Sequence, residues 1–240
     1  MSYDGLSNLH LMAKAANYNA WMFHTVEPYA GKRILEIGAG IGTFTEFLAA
    51  KEYVSATDID PDCLAELSRR FECMPNIEIH PLDISSRNGE TLAEGKAYDT
   101  VICLNVLEHI RDDVQALSNI RAIAPEGSLL LVVPALPVLY GVEDRAVGHY
   151  RRYTKAEIAE KLHSAGYRTE KLFYFNSLGA LFWFLKNRIL NSPPTTSRNV
   201  AIYDKFFVPV LARIESAISV PFGQSLVAIG KPWSGRPGKN

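Results

Sequence analysis

Apolar and polar positions change period several times along the 240-residue chain. Residues 6–27 place Leu6, Leu9, Met12, Ala16 and Trp21 near helical spacing, which predicts one or two N-terminal helices. Short apolar runs at Lys32–Ile37, Tyr53–Asp58, Asn76–His80, Tyr98–Leu104 and Ser128–Val133 read as buried strands. Helical spacing returns over Thr43–Lys51, Pro61–Phe71 and Arg111–Ala124. Pro61 suits a first helical turn, and Pro125-Glu126-Gly127 stops the last of these helices. Strands alternating with helices predict an α/β fold with a parallel sheet and helices on both faces. After Pro134 the rhythm changes. A long loop (135–153) leads to a helix opened by Thr154, with Glu157 three residues later as a capping box. Arg168–Phe175 and Gln224–Gly230 read as strands, 177–190 and 201–218 as helices.

One domain is expected over 1–240: a helical cap (1–30), a ligand-binding core (31–134) and a remainder (135–240) with a helical insertion at 177–218. NSPPTTSRN at 191–199 is the nearest thing to a linker. The composition, 48% apolar and 21% charged with a formal net charge of −1, is that of an ordinary soluble protein and argues for no polyanionic partner. The distribution says more: residues 1–144 hold 10 Lys+Arg and 21 Asp+Glu, residues 145–240 hold 15 and 5. The two parts either do different jobs or attract each other. Cys63, Cys73 and Cys103 form no CxxC, which suits reduced thiols, and the N-terminal stretch lacks a signal-peptide pattern; a cytoplasmic location is expected.

The chemistry starts at ILEIGAGIGTF, residues 34–44. Gly38, Gly40 and Gly42 strip side chains from the turn after the first strand, where an open α/β sheet binds its ligand. A dinucleotide fingerprint would need glycine where Thr43 stands, and no GxxxxGK[ST] is present. Glu36 would repel a pyrophosphate but attract an amino group. The ligand suggested is a nucleoside with a zwitterionic or cationic tail. Asp58, ending the second strand, can accept both ribose hydroxyls. Asp83 can accept from an adenine amine, with Ile59 and Ile84 on either side of the ring.

In these stretches the chain resembles the class I S-adenosylmethionine-dependent methyltransferases. ILEIGAGIGTF is similar to their first motif, ATDIDP to the second, PLDI to the third and VICLNVLEHI to the strand-four motif. The resemblance covers roughly residues 30–170. It implies a Rossmann-like, mostly parallel sheet of seven strands, the last antiparallel, and S-adenosylmethionine as cofactor, with S-adenosylhomocysteine as product. It implies that Glu36 with Gly38, Ala39, Gly40 and Gly42 hold the methionine part, Asp58 the ribose, Asp83 and Ile84 the adenine. Leu104 and Asn105 then lie near the sulfonium, and Tyr18 closes over the amino-acid end.

Methyl transfer needs alignment above all, and a base only where the acceptor loses a proton. His109, after strand four, is the candidate base; the alternative is a histidine that orients its loop. NVLEHI is similar to the ExxEH metal motif of some O-methyltransferases, but Asn105 replaces its first acid. Glu108 and His109 alone under-ligate a Mg²⁺ ion, so no metal is expected.

For the acceptor, GVEDRAVGHYRRYT (141–154) offers Arg145, Arg151 and Arg152 with His149 as an anion fork, and Tyr150 and Tyr153 as walls. The alternative is that these arginines pair with acids such as Glu143 and Asp144. The apolar segment 173–191 reads as core, lid, dimer contact or a helix on a membrane surface. The expected function is O-methylation of a small molecule (a sugar, lipid-linked or hydroxylated acceptor, anionic with an apolar part). The alternative is an RNA or protein methyltransferase using the basic C-terminal part. LNVL stands where an exocyclic-amine methyltransferase would carry NPPY or DPPY, and no nucleic-acid-binding module is evident.

Overall fold

A computed structural model describes residues 5–86, 92, 96–185 and 196–233. The elements in chain order are helices α1 (Gly5–Ala13) and α2 (Ala16–Val26), strands β1 (Arg33–Ile37) and β2 (Tyr53–Asp58), helix α3 (Pro61–Phe71), and strands β3 (Ile77–Pro81) and β4 (Thr100–Leu104). Helix α4 (Asp113–Ile123), β5 (Ser128–Pro134), α5 (Val142–Ala146), α6 (Lys155–Ser164) and β6 (Tyr167–Phe175) follow, then α7 (Ser177–Phe184), α8 (Ser197–Ile202), α9 (Val208–Ala217) and β7 (Ser225–Pro232). One seven-stranded sheet runs β3-β2-β1-β4-β5-β7-β6. β1 to β5 are parallel, and β7 is antiparallel to both neighbours. This is the expected Rossmann-like sheet.

Helices cover both faces, so central strands are apolar throughout: all seven residues of β5 are buried. Leu117, Ile120, Ile158 and Leu162 of α4 and α6 pack on one face with Leu35, Leu129 and Leu131. Trp21, Met22 and Val26 of α2, Leu67 of α3 and Leu211 of α9 pack on the other with Ile34, Val54 and Leu130. Inserting β7 between β5 and β6 pairs Ser225 with both Pro134 and Phe175, so β6 ends at the same edge as β1, β2, β4 and β5.

Three expectations are corrected. Thr43–Lys51 is a run of turns with a short 3-10 helix at Thr45–Leu48. Gly42 sits at φ 84°, outside the helical region, and the Thr45 hydroxyl is drawn to Glu36. The 135–153 loop holds a 3-10 turn (Pro137–Leu139) and α5. The helix expected at 201–218 starts at Ser197 and carries a π turn at Tyr203–Phe207. The part of 177–190 beyond residue 185, and most of 191–199, lie outside the described residues. Among those residues no helix is long and apolar enough to cross a membrane.

Candidate active site

Beyond the C-terminal end of β1 the chain turns through Gly38, Gly40 and Gly42, all at positive φ (70°, 56° and 84°), which glycine adopts without a Cβ clash. The protein's own packing also demands bare backbone here. A Cβ on Gly38 would overlap Val106, one on Gly42 would meet the Phe71 ring at 2.6 Å, and one on Gly40 would lie 3.3 Å from Leu9 of α1. Packing against Val106, Phe71 and Leu9 is thus a second reason for glycine at these positions, and Leu9 brings α1 against the turn. Ala39 is buried and its N–H donates to the Thr57 carbonyl at 2.9 Å.

Glu36 is 3% exposed. The Thr45 hydroxyl donates to Oε2 at 2.6 Å and is the carboxylate's only hydrogen-bond donor among the described residues. Burial, with the Asp58 charge adding to it, raises the Glu36 carboxyl to about 7. One turn away, Asp58 Oδ2 accepts from the Gly40 N–H at 2.7 Å and Oδ1 from the Asp60 N–H at 2.9 Å. Asp58 therefore fixes the glycine turn while each oxygen keeps a second acceptor direction. Asp83 Oδ1 takes the Ser85 N–H and hydroxyl at 2.8 and 2.6 Å. Of the two expected ring walls, Ile59 is 67% exposed, whereas Ile84 is packed into the core and offers little open face. Leu104 is half-buried at the tip of β4, and Asn105 beyond it is exposed at φ 55°, an unusual backbone for a non-glycine residue. Tyr18 packs its ring on Trp21 and Phe175. It stands at the β6–β7 side of the crevice.

After Asn105, a 3-10 turn (Leu107–His109) brings Glu108 inside, fully buried, with neither carboxylate oxygen hydrogen-bonded among the described residues. His149 lies beside it, Nε2 3.7 Å from Glu108 Oε1. Asp144 Oδ1, 3.0 Å from His149 Nδ1, is held ionised by its partners, and this contact orients the ring with Nε2 toward Glu108. The His109 and His149 rings meet edge to face at 4.7 Å. Burial raises the Glu108 carboxyl to about 8, with Arg152 opposing. Desolvation of the ring and the neighbouring His149 lower His109 to about 4, although the residue as a whole remains exposed. One ligand atom from each of Glu108, His109 and His149 can lie within 4.8 Å of the others, a spacing that could hold a metal ion. The expectation of no metal counted two ligands; the fold supplies His149 as a third.

The anion fork is corrected. Arg152 is buried, donates from Nε to Asp144 at 2.8 Å and lies over the Trp183 ring. Arg151 donates to Asp113 at 2.6 Å and to the Arg111 carbonyl at 2.8 Å. Tyr153, 1% exposed, donates to the same Asp113 at 3.0 Å and is no cleft wall. Lys161 completes this cluster at 2.8 Å. The acidic and basic parts of the chain attract each other here. Arg145 stays exposed, over the Tyr140 ring, and Tyr150 is 49% exposed. Asp113, which pairs Arg151, and Leu9, which packs on Gly40, are contacts that the spacing of residues did not reveal; Asp144 had been marked as a partner within GVEDR. A cleft of about 530 Å³ opens between α2, the end of β6 and α9, walled by Trp21, Phe173, Phe175 and Ile218.

Residues 35–130 match the model of a methyltransferase domain. Methyltransferase calH of Penicillium decumbens is 35% identical over 177 residues, 60% of this chain and 48% of that protein. Its solved structure, the trans-methyltransferase CalH in complex with SAH, superposes with a TM-score of 0.53 at 25% identity, over 84% of this chain and 51% of that one. The tRNA U34 carboxymethyltransferase of Pseudoalteromonas translucida is 30% identical over 54% of this chain and 39% of that protein. The ubiquinone biosynthesis O-methyltransferase of Acinetobacter baumannii (strain ACICU) is 22% identical over 71% and 79%. The chain spans about half the length, or less, of the first two relatives. Residues 35–130 thus match a methyltransferase domain, and the seven-stranded sheet with its acid-flanked glycine turn is similar to the fold of the class I S-adenosylmethionine-dependent methyltransferases.

Proposed function

We propose that the protein is an S-adenosylmethionine-dependent methyltransferase acting on an oxygen of a small-molecule acceptor. The observation that carries this reading is a buried, half-satisfied Glu36 next to Asp58, at the tips of adjacent strands. These residues fit the cofactor: Glu36 for its ammonium, Asp58 for its ribose hydroxyls, Asp83 and Ile59 for its base. When bound, the cofactor supplies a methyl group on a positively charged sulfur. The protein's work is to align the acceptor oxygen, exclude water and take up the acceptor's proton. His149, oriented by Asp144, and His109 are the groups available for that proton. Tyr150 and Arg145 are the acceptor-side contacts still open to solvent. The naming of a relative as an O-methyltransferase agrees with oxygen as the target.

A second reading of the same cluster is favoured by the unpartnered Glu108 carboxylate: Glu108, His109 and His149 hold a divalent ion with open positions for the acceptor. A tRNA-acting relative keeps a nucleic-acid acceptor as the alternative substrate class. Calorimetry with S-adenosylhomocysteine, followed by methyl release with hydroxylated small molecules against tRNA, tests the proposal. Micromolar binding and release with small molecules are expected; turnover on tRNA alone overturns the acceptor class. Metal analysis of the purified protein and loss of activity on chelation separate the two readings of the cluster.

A further inference from the structure

The helix running from α8 through the π turn to α9 is apolar on two sides. Val208 and Leu211 face the core. Outward, Ile202, Phe206, Val210 and Ile214 recur every fourth residue and are 43, 63, 56 and 48% exposed, and Ile218, 57% exposed, follows just past the helix end. A four-residue repeat drifts around a 3.6-residue helix; the π turn at Tyr203–Phe207 opposes that drift and keeps the stripe on one side. Phe182 of α7, 41% exposed, meets Phe207 at 5.6 Å and extends the patch onto a second helix. A patch of this kind is rare on a protein whose surface meets only water.

The charges beside it have one sign. Arg198, Lys205 and Arg213 are exposed. The segment's two acids are turned inward: Asp204 accepts from the Asn17 and Tyr18 backbone N–H groups, and Glu215 from Asn176 and Ser177. A two-fold contact between copies of this face would set these cations against themselves, with no free acid on the stripe to answer them. An anionic bilayer answers both features: its interface takes the aliphatic and phenyl side chains, its headgroups the cations. No described helix is long and apolar enough to span, so the contact is parallel to the surface. We propose that the 197–218 face docks the protein on anionic lipid membranes. The proposal stands apart from the methyltransferase reading.

The test is co-sedimentation of the full chain with vesicles of phosphatidylcholine, alone or with 30 mol% phosphatidylglycerol. Partitioning about tenfold stronger onto the anionic vesicles, weakening in 0.5 M salt, is expected. Phe206→Glu with Ile214→Glu, both on the exposed stripe, should lose at least tenfold while circular dichroism and thermal unfolding stay unchanged. Lys205→Glu with Arg213→Glu should remove the preference for anionic lipid. Failure to sediment with either vesicle, or wild-type partitioning by the Phe206/Ile214 variant, overturns the proposal. So does a dimer in analytical ultracentrifugation that this variant turns monomeric, since a second copy would then cover the face.

Discussion

Two clusters of charged side chains flank the crevice, and they behave in opposite ways. At the tips of β1 and β2, Glu36 and Asp58 each keep acceptor capacity that no other described residue uses. Past β5, Arg151 and Arg152 are consumed by Asp113 and Asp144. A charged residue in a motif thus marks a ligand site when the fold leaves it short of partners, and marks architecture when the fold completes it. The acids are short of partners because strand-end geometry places them at an edge. The arginines are complete because the 135–153 loop folds back over α4 and the turn after β4, where Tyr150 N–H donates to the Glu108 carbonyl at 2.8 Å.

The contrast is broken most sharply at Asp144. Asp144→Ala leaves the Arg152 guanidinium buried without its partner and frees His149. A loss of about 3–5 kcal/mol is expected in urea unfolding. A loss under about 1 kcal/mol would mean that Arg152 finds water and that the loop is open to an anion after all.

At Glu36 the sign reverses. Its carboxyl titrates near 7 when folded and near 4.5 when unfolded, so burial favours the protonated form. Its contribution to stability is whole below about pH 4.5 and is lost as pH rises through 7. Glu36→Gln should therefore gain up to about 3 kcal/mol at pH 8 and nothing at pH 4. The same variant should bind S-adenosylhomocysteine more weakly and without pH dependence. Wild-type affinity should fall about fivefold from pH 7 to 6, because an ammonium needs the ionised carboxylate. Flat wild-type affinity would separate Glu36 from the ligand.

Asp58→Asn tests the neighbouring acid. A charged acceptor shared with ribose hydroxyls is worth about 2 kcal/mol, so Kd in calorimetry should rise about 30-fold. Equal affinity would assign Asp58 to the glycine turn alone. The smallest effect is expected from Arg151→Ala: its side chain is 30% exposed and Asp113 keeps Lys161 and Tyr153. About 1 kcal/mol or less of stability should be lost, with cofactor affinity unchanged. A large rise in acceptor KM with stability intact would return Arg151 to the substrate site.

The sheet was legible because its signals are local. β1, β2 and β5 are apolar runs closed by a glycine, an acid and a proline, and the Thr154–Glu157 capping box appears as read. The placing of Glu36 and Asp58 follows from the same logic, since a strand's end is visible in one dimension. Contacts between distant segments were not. Nothing in NVLEHI tells that His149, forty residues on, completes a cluster with Glu108 and His109, or that Leu9 lies on Gly40. Nor does helical spacing announce that Gly42 at positive φ turns an expected helix into turns and a short 3-10 helix.

The central claim is that the crevice between Glu36, Asp58 and Ile59 receives the adenosyl part of the cofactor. A crystal structure of the full chain grown with S-adenosylhomocysteine tests it most directly. The account predicts the ribose hydroxyls on Asp58 and the ammonium on Glu36, with Leu9 and α1 closed over the ligand. Crystals that stay ligand-free at saturating concentration, with Leu9 and Val106 still filling the turn, would contradict it.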